Sequence, residues 1–256
     1  MKSTAAFVAG RGKASAAFKA SCGLPPCVDQ AVTMLELNAT SRTYRAGQEI
    51  ISEGGKLASP FILVEGVAIR YRILRDGQRQ VLSVILPGDF AGYPSCFFET
   101  ALYSIRTLTA ATTMSVSMSR LIALFDTHPL VAAEWFWKFA CELSIYTERL
   151  ITISRRPAAE RVAHFLLELF TRLQQIGLAK GHSFCLPLTQ SIVSDALGLS
   201  IPYVNRVLHQ LREDGLMHIK DQIVFIDNLE ELAALADFEK AYLKPLSIED
   251  FRRQPA

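Results

Sequence analysis

The chain has 256 residues, half of them hydrophobic and 20% charged, with a net charge of +2. This length allows one large domain or two ordinary ones, and the composition excludes a disordered chain. No run of 18 or more apolar residues occurs, and the apolar stretch at residues 5–9 is too short for the core of a signal peptide. We therefore expect a cytoplasmic protein with no membrane partner.

Residues 1–28 differ from the rest of the chain. They carry four basic side chains and no acidic one, and they are rich in Ser and Ala. This composition predicts a disordered basic tail, and an arm that touches DNA is the alternative. The five cysteines (Cys22, Cys27, Cys96, Cys141 and Cys185) are an odd number spread along the chain, which argues against a disulfide framework.

Short strands separated by glycine are predicted from residue 43 to residue 118. Asp76-Gly77 is a strong signal for a two-residue hairpin, and Pro87-Gly88-Asp89 predicts the next turn. The predicted strands cover residues 61–64, 67–74, 80–86, 106–110 and 113–118. Strands at such even spacing are typical of a closed antiparallel sandwich or roll.

A helical period begins at Pro129. From Ala132 to Ile153 large apolar side chains recur at alternating spacings of four and three, which is an unbroken heptad stripe. One interpretation is a helix packed on the core of its own domain. The interpretation favoured by the repeated aromatic rings is a dimer interface formed by Phe136, Phe139, Leu143, Tyr146, Leu150 and Ile153.

Arg155-Arg156-Pro157 looks like a hinge, because proline disfavours helical geometry in the residue before it. An amphipathic helix is predicted after it, over residues 158–175.

Two short helices and a hairpin are predicted next. Thr189 is a good cap for a helix over residues 190–197, and Gly198 allows a tight turn. Ser200 is predicted to cap a second helix, which carries Pro202 in its first turn and ends at Asp214-Gly215. Residues 216–219 and 223–226 then pair as a hairpin. This order predicts a winged helix-turn-helix.

The second of these helices is expected to enter the major groove of DNA, with Arg206 forming two parallel hydrogen bonds to a guanine. The residues expected to face DNA are Thr189, Gln190, Ser200, Ile201, Pro202, Tyr203, Asn205, Arg206 and His209. Residues 186–226 nevertheless hold three basic and four acidic side chains, whereas proteins that grip phosphates are usually more basic. A helical protein-interaction module is therefore the alternative.

At this point the sequence resembles the CRP/FNR family of bacterial regulators over about residues 40–240. The resemblance rests on the stretches Phe61–Gly66 and Pro87–Gly92, on Glu160, Arg161 and Ala163, and on the segments 188–190 and 204–206. It implies a β-roll that senses a signal, a long dimerisation helix, and two DNA-binding domains that read a palindrome. Ile201 and Pro202 stand where the cyclic-AMP receptor has polar base readers, so a different operator is expected.

The resemblance also implies an effector pocket, formed by Gly92, Tyr93, Ser95, Thr107, Tyr146 and Thr147. The alternative is that Tyr93 and Tyr146 fill the space that a ligand occupies elsewhere in the family. Cyclic-nucleotide binding is not expected, because Ala101-Leu102 replaces the family's Arg-Ser pair and no Lys or Arg lies between Arg79 and Arg106. The cysteines do not match the family's iron–sulfur ligands, and a redox role for Cys96 is a lesser alternative.

An enzyme is not expected. None of the five histidines lies within residues 43–118, so the roll lacks the imidazole ligands of a metal-dependent cupin, and we expect no metal and no cofactor. The second functional alternative is a dimeric sensor that acts on a protein partner without binding DNA. RNA polymerase and an unknown small effector are further candidate partners, beside DNA and a second copy of the chain.

The predicted fold class is α+β, with an N-terminal antiparallel β-roll of the cyclic-nucleotide-binding type, a long dimerisation helix and a C-terminal winged helix-turn-helix. The predicted segments are a tail at 1–28, the roll at 29–128, the dimerisation helix at 129–156, the DNA-binding domain at 157–244 and a second tail at 245–256.

Overall fold

The computed structural model describes residues 39–56, 59–185 and 187–243. Both predicted tails, the first ten residues of the predicted roll, and Cys22 and Cys27 lie outside the described residues. The described residues divide into two compact units, one of residues 39–72 and 82–139, the other of residues 73–81 and 140–243.

Two antiparallel four-stranded sheets form the first unit, with strand orders β1-β8-β3-β6 and β2-β7-β4-β5. The strands are β1 (Thr40–Tyr44), β2 (Glu49–Ile51), β3 (Phe61–Glu65), β4 (Ala68–Ile73), β5 (Arg79–Ile85), β6 (Phe90–Ala91), β7 (Ser104–Thr107) and β8 (Ala111–Ser115). The antiparallel β-roll predicted from the sequence is confirmed, and its inner faces meet in a core that includes Leu63, Ala68 and Ile105.

Two predicted strands end earlier in the structure than the sequence indicated. The strand expected at 106–110 stops at Thr107, because residues 108–110 form a bend. The strand expected at 113–118 stops at Ser115, because Ser117 caps a helix that the sequence reading missed, α1 (Met118–Thr127). Its hydroxyl accepts a hydrogen bond from the backbone N–H of Arg120 at 3.4 Å.

The tight corner between β3 and β4 depends on Gly66. Its φ is +91°, and a Cβ at this position would lie 2.4 Å from the carbonyl oxygen of Ala110. Only glycine combines that φ with so close an approach to another backbone. The corner lets β3 and β4 enter different sheets.

The long helix α2 (Pro129–Arg155) follows α1. In the first unit, its Trp135 and Phe139 join an aromatic cluster with Phe90 and Tyr93, where the ring centroids of Tyr93 and Phe139 are 4.0 Å apart. No helix among the described residues has the length and hydrophobicity needed to cross a bilayer.

The second unit is built around α3 (Ala158–Gln175), which is buried on all sides from Val162 to Thr171. The elements that follow it are β9 (Ala179–Lys180), β10 (Ser183–Cys185), α4 (Gln190–Leu197), α5 (Ile201–Glu213), β11 (Met217–Lys220), β12 (Ile223–Ile226) and α6 (Leu229–Leu235). Their strands form one sheet in the order β11-β12-β10-β9. The short strands β9 and β10 extend the predicted hairpin into a four-stranded sheet.

A buried polar cluster joins α2 to α3 within the second unit. Nη2 of Arg149 on α2 donates to both carboxylate oxygens of Glu168 on α3, at 2.9 and 2.8 Å, and Arg172 adds a contact at 3.3 Å. Burial by itself would raise the pKa of the Glu168 carboxyl, but the charges of Arg149 and Arg172 outweigh it and hold that pKa below its ordinary value. The ion pair therefore fixes how α2 meets the helical part of this unit.

His164 lies in the same cluster, and its imidazole is neutral near pH 7. Burial lowers the pKa of its imidazole from 6.5 to about 4, the charge of Arg156 adds to this effect, and Glu148 and Glu168 oppose it. Its Nε2 is 3.3 Å from Glu148 Oε1, which accepts a hydrogen bond from Arg156 at 2.7 Å. Since the unfolded chain binds a proton near pH 6.5 and the folded one only near pH 4, protonation favours unfolding between these values.

We predict that stability falls as the pH is lowered from 7 to 5. This single histidine should contribute about 2 kcal/mol of the loss in the free energy of unfolding. Urea denaturation at both pH values would measure it. His164→Gln should remove that part of the pH dependence, whereas His209→Gln, at an exposed position, should retain it. An unchanged slope in His164→Gln would contradict the assignment.

Candidate nucleic-acid interface

The first helix of the predicted motif, α4, begins and ends as its sequence indicates. The side chain of Thr189 accepts a hydrogen bond from the N–H of Ile192, and Gly198 ends the helix in the left-handed region at φ +63°. A Cβ on Gly198 would meet nothing within 4 Å, so φ alone favours glycine here. Helix α5 begins directly after this short turn.

The second helix, α5, buries Val204, Val207 and Leu211 and turns its other face to solvent. Ser200 stands at the predicted N-cap position, but its side chain does not form the capping hydrogen bond that was expected. All nine residues predicted to face DNA are exposed: Thr189, Gln190, Ser200, Ile201, Pro202, Tyr203, Asn205, Arg206 and His209.

Arg206 lies at the middle of this exposed face. Its guanidinium carbon is 5.6 Å from the centroid of the Tyr203 ring, one turn earlier, which orients the side chain along the N-terminal half of α5. Among the described residues, no carboxylate forms an ion pair with it. A guanidinium held in this way keeps its donors available for a planar acceptor such as a guanine edge.

The acidic residues that complicated the sequence reading lie away from this face or have partners. Within the second unit, Asp195 is paired with Arg79 at 2.6 Å. At the C-terminal end of α5, Glu213 lies 3.4 Å from His209, and Asp214 accepts a hydrogen bond from Gln210 at 2.9 Å. The segment 199–206 contains no acid. The near-neutral balance of residues 186–226 therefore does not describe the N-terminal face of α5.

The hairpin β11–β12 follows α5 as the wing. Asp221 and Gln222 at its tip both have positive φ, 51° and 62°, which is the geometry of a tight two-residue hairpin turn. His218 stacks on Phe225 with centroids 4.8 Å apart, and its Nδ1 lies 2.8 Å from Asp227. These contacts of His218 hold the two strands of the wing together beside α5.

The residues of the predicted effector pocket fall in both units. In the first unit Tyr93 packs on Phe139, its carbonyl accepts a hydrogen bond from the Tyr103 hydroxyl, and the Ser95 hydroxyl accepts from the N–H of Leu102. Thr107 donates to the carbonyl of Arg45 at 2.7 Å. Gly92 approaches the carbonyl of Ser59, where a Cβ would come within 2.7 Å. Tyr146 and Thr147 belong to the second unit, and the Thr147 hydroxyl donates to its own helix at Leu143.

A buried cation that was not predicted from the sequence lies in this part of the first unit. Arg70 on β4 is 2% exposed, and its guanidinium carbon is 4.7 Å from the Tyr103 ring centroid and 5.7 Å from that of Tyr93. Arg70 lies outside residues 79–106, and its strand β4 reaches this region by pairing with β7. The family's phosphate-binding pair is still absent at Ala101-Leu102.

The heptad stripe of α2 divides into two rows. Phe136, Leu143 and Leu150, seven residues apart, are 77%, 65% and 63% exposed. The other row of the stripe, Phe139, Tyr146 and Ile153, is partly buried.

Among the described residues, no group of three or more His, Cys, Asp or Glu side chains is placed to hold a metal. Burial raises the pKa of the Cys96 thiol, which disfavours the reactive thiolate.

A β-roll, a long helix with an exposed apolar row and a winged helix-turn-helix together define a DNA-binding regulator. Two family models match in agreement with this. The cyclic nucleotide-binding domain covers residues 41–128, and the Crp-like helix-turn-helix domain covers residues 160–235.

Relatives and solved structures agree with the family models. The nitrogen fixation regulation protein FixK of Rhizobium meliloti is 31% identical over 184 residues, which are 70% of this chain and 78% of the relative. The transcriptional activator protein FnrL of Cereibacter sphaeroides is 27% identical over 76% of this chain and 79% of the relative. The structure of FixK2 from Bradyrhizobium japonicum matches with a TM-score of 0.70 and 29% identity, over 77% of this chain and 96% of that one.

The chain belongs to the CRP/FNR family. It is a DNA-binding transcription regulator, and its relatives are regulators rather than enzymes. The CRP/FNR family and the function of a DNA-binding transcription regulator, both predicted from the sequence, are confirmed.

Proposed function

We propose that a homodimer of this chain reads a two-fold symmetric operator through the N-terminal half of α5. The observation that carries the proposal is the exposed, acid-free face of α5 around Arg206, next to a turn that holds α4 and α5 as a helix-turn-helix. A recognition helix presented in this way enters the major groove with its first turns toward the bases.

The exposed residues divide by the chemistry that each offers to DNA. Arg206 is suited to the O6 and N7 acceptors of guanine, and Asn205 can pair with an adenine edge. Ile201 and Pro202 offer apolar contacts to thymine methyl groups. Thr189 and Ser200 stand at the starts of α4 and α5, where free backbone N–H groups favour phosphates. The remaining predicted contacts are Gln190, Tyr203 and His209.

The dimer is proposed to form along α2. The residues are those of the heptad stripe, and the exposed row of Phe136, Leu143 and Leu150 supports it, because side chains this apolar are costly to leave in water. Two subunits joined in this way would place their recognition helices about 34 Å apart, one turn of B-DNA.

Further partners are proposed from the relatives. Several are named transcriptional activators, so RNA polymerase is the protein partner that we propose, with the cytoplasm as the place of action. A small effector remains part of the proposal. At the position that the family resemblance suggests, Tyr93 is packed against Phe139 and Arg70, so a ligand there would have to displace these side chains.

Selection of bound DNA from a random pool, followed by salt titration of the selected sequence, tests this function. A symmetric site whose affinity falls steeply with salt is expected, because each phosphate contact releases counterions. If nothing is enriched and binding to a protein partner is independent of DNA, the alternative of a DNA-independent sensor replaces the proposal.

Arg206→Ala should weaken binding to the selected site by about 1–3 kcal/mol and relax base preference at one position in each half-site. Arg212→Ala, at an exposed arginine in the last turn of the same helix, is the matched control and should leave base preference intact. Competition binding with single-base variants of the site measures both effects. An equal loss on random DNA would contradict the base-reading role.

A further inference from the structure

The first unit contains a cavity of about 440 Å³ that neither the DNA-binding face nor the predicted effector pocket uses. It lies between the strands β1, β3 and β8 on one side and the segment around residues 50–56 on the other. Its lining residues are Arg42, Tyr44, Ile50, Ile51, Ser52, Gly55, Lys56, Ser59, Phe61, Thr113 and Ser115. A volume of this size is within the range of small-molecule sites.

The charged side chains that line this cavity are all basic. Arg42 and Lys56 both line it, and no acidic residue does. Within the part of the chain that the structure describes, neither cation is paired with a carboxylate, whereas Arg72, Arg79, Arg149 and Arg156 all are. Five hydroxyl side chains, of Tyr44, Ser52, Ser59, Thr113 and Ser115, add possible donors. This set of groups favours an oxyanion, because a guanidinium and an ammonium provide charge-assisted hydrogen bonds.

The walls of the cavity are held in place by the fold. On the sheet side, Thr113 is paired with Arg42 on one neighbouring strand and with Leu63 on the other. On the opposite side, the N–H of Gly54 donates to the carbonyl of Ala101 at 2.8 Å, and the N–H of Ala101 donates to the carbonyl of Gly55 at 2.9 Å. The site is therefore largely formed before any ligand arrives, which reduces the ordering cost of binding.

Apolar surface completes the site. Phe61 and Ile51 are buried members of the roll's core that also face the cavity, and Ile50 lies beside them. A ligand with an apolar body and one anionic end would satisfy both parts, with the body on these side chains and the oxyanion near Arg42 and Lys56.

We propose that this cavity binds a small organic oxyanion, a carboxylate or a phosphate ester, and that it is an effector site separate from the one the family resemblance suggests. None of its lining residues belongs to the set Gly92, Tyr93, Ser95, Thr107, Tyr146 and Thr147. Binding to this site does not depend on the proposed operator recognition, so either proposal can fail without the other.

Isothermal titration calorimetry of the full chain at fixed ionic strength tests the site with three probes: benzoate, phenyl phosphate and the neutral benzamide. At least one anion is expected to bind at least tenfold more tightly than benzamide, and the preferred anion identifies the class of ligand. The double variant Arg42→Gln, Lys56→Gln should weaken that binding by about tenfold or more, since each charged hydrogen bond contributes a sizeable share.

The matched control is Lys180→Gln, Lys240→Gln, which removes the same charge from exposed positions of the second unit and should bind the anion as the wild type does. Thr113→Val, which removes a hydroxyl from the sheet wall, should weaken binding by a few-fold. The proposal is overturned if benzamide binds as well as the anions, if the double variant keeps wild-type affinity, or if neither anion binds at millimolar concentration. DNA binding measured on the same variants separates this result from the fate of the operator proposal.

Discussion

Leu143→Asp is expected to convert the proposed dimer into a monomer at micromolar concentration. Leu143 is the middle member of the exposed row on α2, with Phe136 and Leu150 one heptad away on each side. In a symmetric helix pair the two copies of this position face each other, so the exchange would bury two carboxylates against each other and against apolar side chains. Sedimentation velocity measures the change directly.

The matched control is Leu178→Asp, the same exchange at an exposed leucine outside α2. It should remain dimeric. The monomeric variant should also bind the full symmetric operator weakly and a half-site about as well as the wild type does, because the second recognition helix no longer binds in the same event. A variant that still sediments as a dimer would show that the exposed row is not the interface.

Glu168→Ala is expected to lower the free energy of unfolding of the second unit by about 3–5 kcal/mol. Glu168 is 1% exposed and its partner Arg149 is 8% exposed, so the exchange leaves a guanidinium buried without its counter-charge. Urea denaturation followed by circular dichroism at pH 7 measures the loss. The carboxylate contributes above its unfolded pKa, and because its folded pKa is depressed, this contribution is lost as the pH falls through that lower value.

Two comparisons isolate the effect of burial. Glu53→Ala removes an ion pair with Arg72 that is largely exposed, and it should cost about 1 kcal/mol or less. The double variant Arg149→Met, Glu168→Met should lose less stability than Glu168→Ala, because it removes the buried guanidinium of Arg149 together with its counter-charge, so that only the longer contact with Arg172 is lost as well. If Glu168→Ala and Glu53→Ala cost the same, the ion pair does not hold α2 against α3.

Some features of this fold follow from local sequence patterns, and others do not. The exposed face of α5 could be predicted because every determinant is local: Thr189 caps one helix, Gly198 permits the turn, and the period of α5 separates Val204 and Val207 from Arg206. The wing and the long stripe of α2 follow from short-range patterns in the same way. Helix α1 was missed because its cap, Ser117, directly follows a strand rich in Thr, and the β-like composition concealed the change of period.

Local sequence patterns predicted the winged helix-turn-helix and the apolar stripe of α2, since both depend on neighbours within a few residues. Which charges are buried and paired depends instead on contacts between residues far apart in the chain. Arg70 meets Tyr103 across 33 positions, Arg149 meets Glu168 from the next helix, and Arg42 and Lys56 line one cavity with Thr113. These contacts join residues that no local period relates, because closure of the roll and the packing of α2 on α3 set which strands and helices become neighbours.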